Sequence, residues 1–318
     1  MNYRAHLYIL SLAFGMMACS PQPEQRADHV HTMAGGAAAQ DTTGTRLPVP
    51  PEGNIPVAFV ISKDAEVLDF TGPLEVFSAA WTDDWDPMFK PYFVADSMAP
   101  VMVSGNMRVM PDYTFDNAPQ PKVIVIPAME GGSERMIAWI REASKGTDVT
   151  MSVCNGAFEL ARTGLLDGKD AAAHHGGYFR FAGMFPQVRL QRGARYVEEG
   201  HVASAGGISS GIDLALRVVE RYAGRAHVQG IVDAMEYQGT GWLNPMSNQA
   251  YAELPSNDPA HPICPLCGMD ADTNIRSTFK GDTYYFCASS EKEFFDAHPE
   301  VMERFVAEDA ARGPAPSR

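Results

Sequence analysis

The 318-residue sequence contains no run of lysines and arginines, and 39 acidic side chains outnumber 25 basic ones for a net charge of −14. Without a basic stripe nothing can track a phosphate backbone, so nucleic acid is not an expected partner. Long apolar runs are missing too. The N-terminal "LYILSLAFGMM" is too short to cross a bilayer as a stable helix. No internal repeat is visible, which sets aside solenoids and propellers. Cysteine is scarce, at five residues, so each one has to be read by its place. What remains is ordinary globular material. Hydrophobic content of 45% and charged content of 20% suit packed cores, and the length allows two domains at roughly 150 residues each.

The first residues read as an export signal over 1–18. Arg4 gives a short positive region, the apolar run follows, and "MMAC" ends it on a small residue before Cys19. Cleavage before a cysteine resembles the bacterial lipoprotein signal, although Met16 stands where that pattern usually has Leu. The resemblance implies a lipid anchor on Cys19 as the sole membrane attachment and a place in the cell envelope facing the periplasm. Ser20, by the same resemblance, favours the outer membrane. Residues 19–53 lack periodicity and are rich in Pro, Gly, Ala and Thr, as a flexible tether is; His29 and His31 are read as part of it.

From 54 to 242 short β-rich runs ("PVAFVIS", "YFVADS", "VIVIP", "VTMSVC") alternate with helical stretches at 72–80, 133–145 and 155–166. Such alternation predicts an α/β domain with a largely parallel sheet. "SSGIDLALRVVERYAG" places Ile212, Ala215, Leu216 and Val219 on one helical face and stops at Gly224, while "RYVEEGHVAS" reads as a hairpin turning at Glu199-Gly200. A linker at 243–261, dense in turn formers, leads to a small module at 262–308 and a frayed tail at 309–318.

Cys154 ends the strand "VTMSV" and stands immediately before a helix. Ligands of parallel sheets bind at the carboxyl edge of the strands. First-turn amides and the helix dipole favour a thiolate there, and Asn155-Gly156 suits a sharp turn. The same residue could equally be a buried structural thiol. Asp69, in "EVLDFTGPLEVF" after the first strand, lies at the same edge, either as a helix cap or as part of a site. His174 in "AAAHH" follows the cysteine's helix, and Asp213 reads as a charge near a helix N-terminus.

"LDFTGPLEVF", "CNGAFELARTGLLDG" and "AGGISSGIDLAL" together resemble the ThiJ/PfpI superfamily over roughly residues 54–240, closest to the branch of isonitrile hydratases and regulator ligand domains. That resemblance implies a flavodoxin-like sandwich shared with class I glutamine amidotransferases. It also implies a Cys154 nucleophile, Asp69 handling protons, His174 near the site and no cofactor for this domain. The partner would be a small electrophile, with isonitrile hydration first and glyoxalase- or deglycase-like carbonyl chemistry behind it. Relatives are frequently homodimers. The alternative is a ligand- and metal-binding envelope lipoprotein without catalysis. Asn155 replaces the branch's usual Thr, and His175 replaces a common Trp. The loop "IPAMEGGSE" leaves open which of Gly131 and Gly132 offers an oxyanion amide, while Asn155 and Gly156 border the substrate. The regulator branch carries a DNA-binding helix-turn-helix that this sequence does not show, so a promoter-binding role is not expected.

"CPLCGM" and "YYFC" supply Cys264, Cys267 and Cys287, a pair plus a distant third at metal-ligand spacing suited to zinc or copper. Residues 262–301 resemble the YHS domain, a small α+β module associated with metals. Glu291 occupies the slot of that family's further cysteine, and His261 and His298 are alternative fourth donors. A Cys264–Cys267 disulfide with Cys287 left over, or a scaffold without metal, are the competing readings.

Overall fold

The four β-rich runs become the centre of one seven-stranded sheet. The strands are β1 (Ile55–Val60), β2 (Phe89–Ala95), β3 (Tyr113–Thr114), β4 (Val123–Ile126), β5 (Val149–Val153), β6 (Tyr196–Glu199) and β7 (Val202–Ala205), in the order β6-β7-β5-β4-β1-β2-β3. All neighbours are parallel except β6 and β7, the hairpin expected at Glu199-Gly200, where Gly200 has φ +69°. This is a computed structural model, and it describes residues 46–50, 54–253 and 258–312. The export signal, Cys19, the tether histidines and the last six residues lie outside the described residues.

The central strands read as unbroken apolar runs because both faces of the sheet are covered. Alternate side chains enter two separate cores. Val57, Phe59, Val123 and Val125 pack with α1 (Val67–Ser78), α5 (Ser210–Ala223) and α6 (Arg225–Ala234). Ala58, Val60, Ile124 and Ile126 pack with α2 (Glu134–Ala143), α3 (Gly156–Arg162) and α4 (Tyr178–Met184).

Three boundaries depart from the sequence reading. Helix α1 begins at Val67 and contains Pro73, five residues before the start at 72 that the sequence pattern suggests. Asp69 is therefore inside the first turn and does not cap the helix. Gly224, at φ +91°, does end α5, but α6 starts at once beyond it. The tail expected from 309 is helical as far as Arg312, the end of α8 (Pro299–Arg312).

The C-terminal segment is not a bead on a linker. Its hairpin, β8 (Asp272–Phe279) and β9 (Asp282–Phe286), with α7 (Ser289–Ala297) and α8, shares the second core with α4. Phe179 of α4 stacks on Phe295 with centroids 5.1 Å apart and meets Phe305 edge-on at 6.2 Å. Arg192, whose side chain is fully buried, donates to Glu308, to Asp309 and to the carbonyl oxygens of Ala252 and Phe305, with its guanidinium 4.1 Å from the Phe305 ring centroid. The supposed linker is pinned as well: Arg195 N donates to Pro245 O, and Trp242 is buried.

Candidate active site

Strand β5 delivers Cys154 to the carboxyl edge of the sheet, and the chain turns into α3 within two residues. Cys154 has φ +59°, a left-handed backbone that costs a non-glycine residue roughly 1–3 kcal/mol and persists where the surroundings enforce it. The enforcement is visible. Cys154 N donates to Gly206 O (2.9 Å) and Ala205 O (3.2 Å) at the end of β7. Gly156 lies so close to β4 that a Cβ there would sit 2.1 Å from Ile126 O, so only glycine fits. Asn155 is exposed at the start of α3, and its Oδ1 would be 2.7 Å from a Cβ on Gly177.

Burial of the sulfur works against the thiolate that its place before a helix suggests. Burial, with the negative charge of Asp69 in second place, pushes Cys154 up to about 12, against the opposing pull of the Asn155 and Ile208 backbone N–H groups. Helix α3 is short, and desolvation outweighs its dipole. Asp69 is fully buried. Its Oδ2 accepts from Ala128 N (2.9 Å), while Oδ1 has no hydrogen-bond partner. Burial pushes its carboxyl up to about 7, with the Ala128 amide opposing and the charge of Glu66 adding to the rise. A carboxyl balanced near neutrality, with one oxygen uncommitted, is equipped to exchange a proton with the thiol.

His174 lies at the neighbouring turn. Its Nδ1 accepts from Gly176 N (3.1 Å), which assigns the ring proton to Nε2, and burial followed by the His175 ring pushes its pKa down to about 4. The imidazole is therefore a neutral donor. No hydrogen bond joins it to Cys154 or Asp69; it packs on Gly207, where a Cβ would be 3.1 Å from its Cδ2.

Of the two glycines considered for an oxyanion amide, Gly132 has its N–H committed elsewhere. Gly132 N donates to Glu159 Oε1 (3.1 Å), and Arg162 closes the arrangement on Gly132 O and Glu159 Oε2; Gly131 is exposed at φ +39°. The amides that act on the sulfur are those of Asn155 and Ile208. Ile208 stood in the quoted "AGGISSG" but was hidden by the glycines beside it. Asp213 is more than a helix-terminal charge: fully buried, it accepts from Arg195, from Trp242 N (2.8 Å) and from the Tyr237 hydroxyl (3.2 Å). A cavity of about 200 Å³ opens beside these elements, bordered by His174, His175, Gly207, Ile208, Asn248 and Tyr251 among others.

The other three described cysteines form a second group. The Sγ atoms of Cys264, Cys267 and Cys287 lie within 4.8 Å of one another, and Cys267 and Cys287 are 3.5 Å apart, all as free thiols. A tetrahedral zinc with bonds near 2.3 Å spaces its sulfurs at about 3.8 Å, so the donor set fits a thiophilic ion. Glu291 does not join it, because Arg180 Nη2 donates to both of its oxygens (2.5 and 2.6 Å). His298 is bonded to Glu300 and packed on Phe294, and His261 is exposed. The thiol loop rests on the turn that holds His174: a Cβ on Gly176 would lie 2.9 Å from Cys267 O.

A mostly parallel sheet between helical layers, with a cysteine forced onto a strained strand-to-helix turn, defines the flavodoxin-like DJ-1/ThiJ class of fold. The chain belongs to the DJ-1/PfpI family, whose pattern matches residues 56–221. It is 27% identical over 187 residues to an isonitrile hydratase from Pseudomonas putida, covering 57% of this chain and 78% of the relative. It is also 21% identical over 196 residues to the HTH-type transcriptional regulator GbdR of Pseudomonas aeruginosa, covering 60% of this chain and 53% of the regulator. A ThiJ/PfpI family protein from Pseudomonas syringae shares the fold with a TM-score of 0.55 at 23% identity, over 71% of this chain and 89% of that one. Drosophila melanogaster DJ-1beta superposes with a TM-score of 0.50 at 18% identity, over 58% of this chain and 98% of that one.

Proposed function

We propose that the chain is a cysteine-dependent lyase or hydrolase acting on a small electrophile, and that the substrate is an isonitrile, hydrated to an N-substituted formamide. The observation that carries this reading is the Cys154 elbow at φ +59°, set beside a buried Asp69 with one uncommitted oxygen. The 27% identity to an isonitrile hydratase supports the choice of substrate. Asp69 takes the thiol proton as Cys154 Sγ bonds to the isonitrile carbon, and the same carbon receives that proton to give a thioimidate. Water then adds to this carbon, the nitrogen takes up a proton, and the C–S bond breaks to return the thiol and release the formamide. The amides of Asn155 and Ile208 steady the sulfur while it carries charge, and His174 Nε2–H offers a neutral donor at the pocket's edge.

The test is turnover of an isonitrile panel and of 2-oxoaldehydes by the full chain and its Cys154→Ala variant. Formamide production that depends on Cys154 supports the reading. Turnover that survives the substitution ends it, and activity on 2-oxoaldehydes alone transfers it to glyoxalase- or deglycase-like chemistry.

A second reading rests on the three clustered sulfurs. In it residues 262–308 are a YHS-like module whose Cys264, Cys267 and Cys287 hold zinc or copper, and the protein senses or handles metal in the envelope, tethered through a lipid on Cys19. No helix among the described residues is long and apolar enough to cross a membrane. Homodimer formation belongs to both readings and is checked by sedimentation.

A further inference from the structure

The three thiols of the C-terminal segment are not equivalent. Cys264 is fully buried, while Cys267 and Cys287 are each partly exposed. The two partly exposed thiols meet, Sγ to Sγ at 3.5 Å, across 20 residues of chain.

Both stand on anchored backbone. Cys264 N donates to Met269 O (2.8 Å) and Gly268 N to Cys264 O (2.9 Å), which closes the turn around Cys267. Cys287 follows Phe286, the last residue of β9, and Phe286 is in register with Asp272 of β8. A disulfide bond is about 2.05 Å long, so the two sulfurs have about 1.5 Å to close. Side-chain rotation between staggered rotamers covers a distance of that size with the turn and the hairpin left in place. Partial exposure also opens these two sulfurs to a small oxidant, and burial shields Cys264 from it.

We propose that Cys267 and Cys287 are a peroxide-reactive pair that closes to a reversible disulfide. One sulfur attacks an oxygen of hydrogen peroxide, the O–O bond breaks, and a sulfenic acid forms with release of water. The second sulfur then bonds to the first and displaces the hydroxyl group, which leaves with that thiol's proton as a second water. The two thiols lose two electrons and two protons in all, and the peroxide takes up both. This pairing differs from a bridge within Cys264-x-x-Cys267, and it needs neither the Cys154 chemistry nor a metal. The same two sulfurs belong to the triangle that fits a thiophilic ion, so crosslink and ion exclude each other.

The test treats the full-length protein with hydrogen peroxide in the presence of a chelator. Remaining thiols are alkylated in denaturant, and trypsin digestion without reductant precedes mass spectrometry. Cleavage leaves Cys264 and Cys267 together in residues 226–276 and Cys287 in residues 281–292. The expected product is these two peptides joined, lighter than their sum by two hydrogens and separated again by dithiothreitol. Fragmentation should assign the bond to Cys267 and find Cys264 alkylated. Cys264→Ser keeps the joined product, and Cys287→Ser abolishes it. A bridge within residues 226–276, a bond from Cys287 to Cys264, or no crosslink at all overturns the proposal. Saturating zinc should slow crosslinking at least about tenfold. Crosslinking at the same rate with zinc supports the pair and overturns only the metal reading.

Discussion

The protein keeps its sulfur chemistry in two places that are adjacent and built on opposite plans. Cys154 is a single thiol on a strained turn, fenced by glycine contacts and faced by one buried carboxyl. Cys264, Cys267 and Cys287 are three thiols gathered by a loop and a hairpin end, with Glu291 held by Arg180 instead. Burial leads in raising the thiol pKa in both places. Around Cys154 the second cause is a different residue type, Asp69, which can trade a proton; around Cys267, pushed up to about 12, the neighbours that add to the rise are other sulfurs. The first arrangement suits one bond made and broken, and the second suits a shared ion.

The largest expected effect separates the two outright. Cys154→Ala should lower isonitrile hydration by about three orders of magnitude or more, while zinc stoichiometry, read by mass spectrometry under native conditions, stays the same. Next comes Asp69→Asn, whose side chain still accepts from Ala128. Burial raises the native carboxyl from 3.8, its ordinary value, to about 7, so folding stability falls as pH rises through that window. Asparagine does not titrate. The variant should therefore be more stable than the parent by roughly 3 kcal/mol above pH 7, with the gap closing below about pH 4 in urea titrations. The same change removes a negative charge from beside Cys154, so iodoacetamide should label the thiol faster at pH 9 while hydration slows.

Cys267→Ser should weaken zinc or Cu(I) binding by about a hundredfold in a chelator competition and leave alkylation of Cys154 nearly unchanged. Arg192→Met should cost about 2 kcal/mol, since the two carboxylates it leaves behind are each about a third exposed and can rehydrate. Its signature is faster amide exchange over α8 before the sheet domain unfolds.

The sheet was legible because parallel strands buried on both faces leave unbroken runs such as "VIVI", and the elbow because a cysteine followed by Asn-Gly closes one of them. The buried Asp69 lies near enough for its charge to act on the Cys154 thiol. Three features were not legible, and each depends on distant packing. The amide of Ile208 reaches the sulfur only through the crossover that sets β7 beside β5. Gly132 loses its amide to Glu159, a carboxylate from another helix. The supposed linker became a wall of the pocket because Pro245, Asn248 and Tyr251 fold back on residues 174–210, and turn-forming composition alone does not distinguish a pinned strap from a loose one.

Gly176 works as a joint with no clearance. On one side stands the carbonyl of Cys267, 2.9 Å from where a methyl group would be, and on the other the imidazole of His174, 3.2 Å from it. Close-packed interiors pass small displacements on instead of absorbing them. A displaced thiol loop would therefore press on the turn that carries His174, which lines the neighbouring cavity.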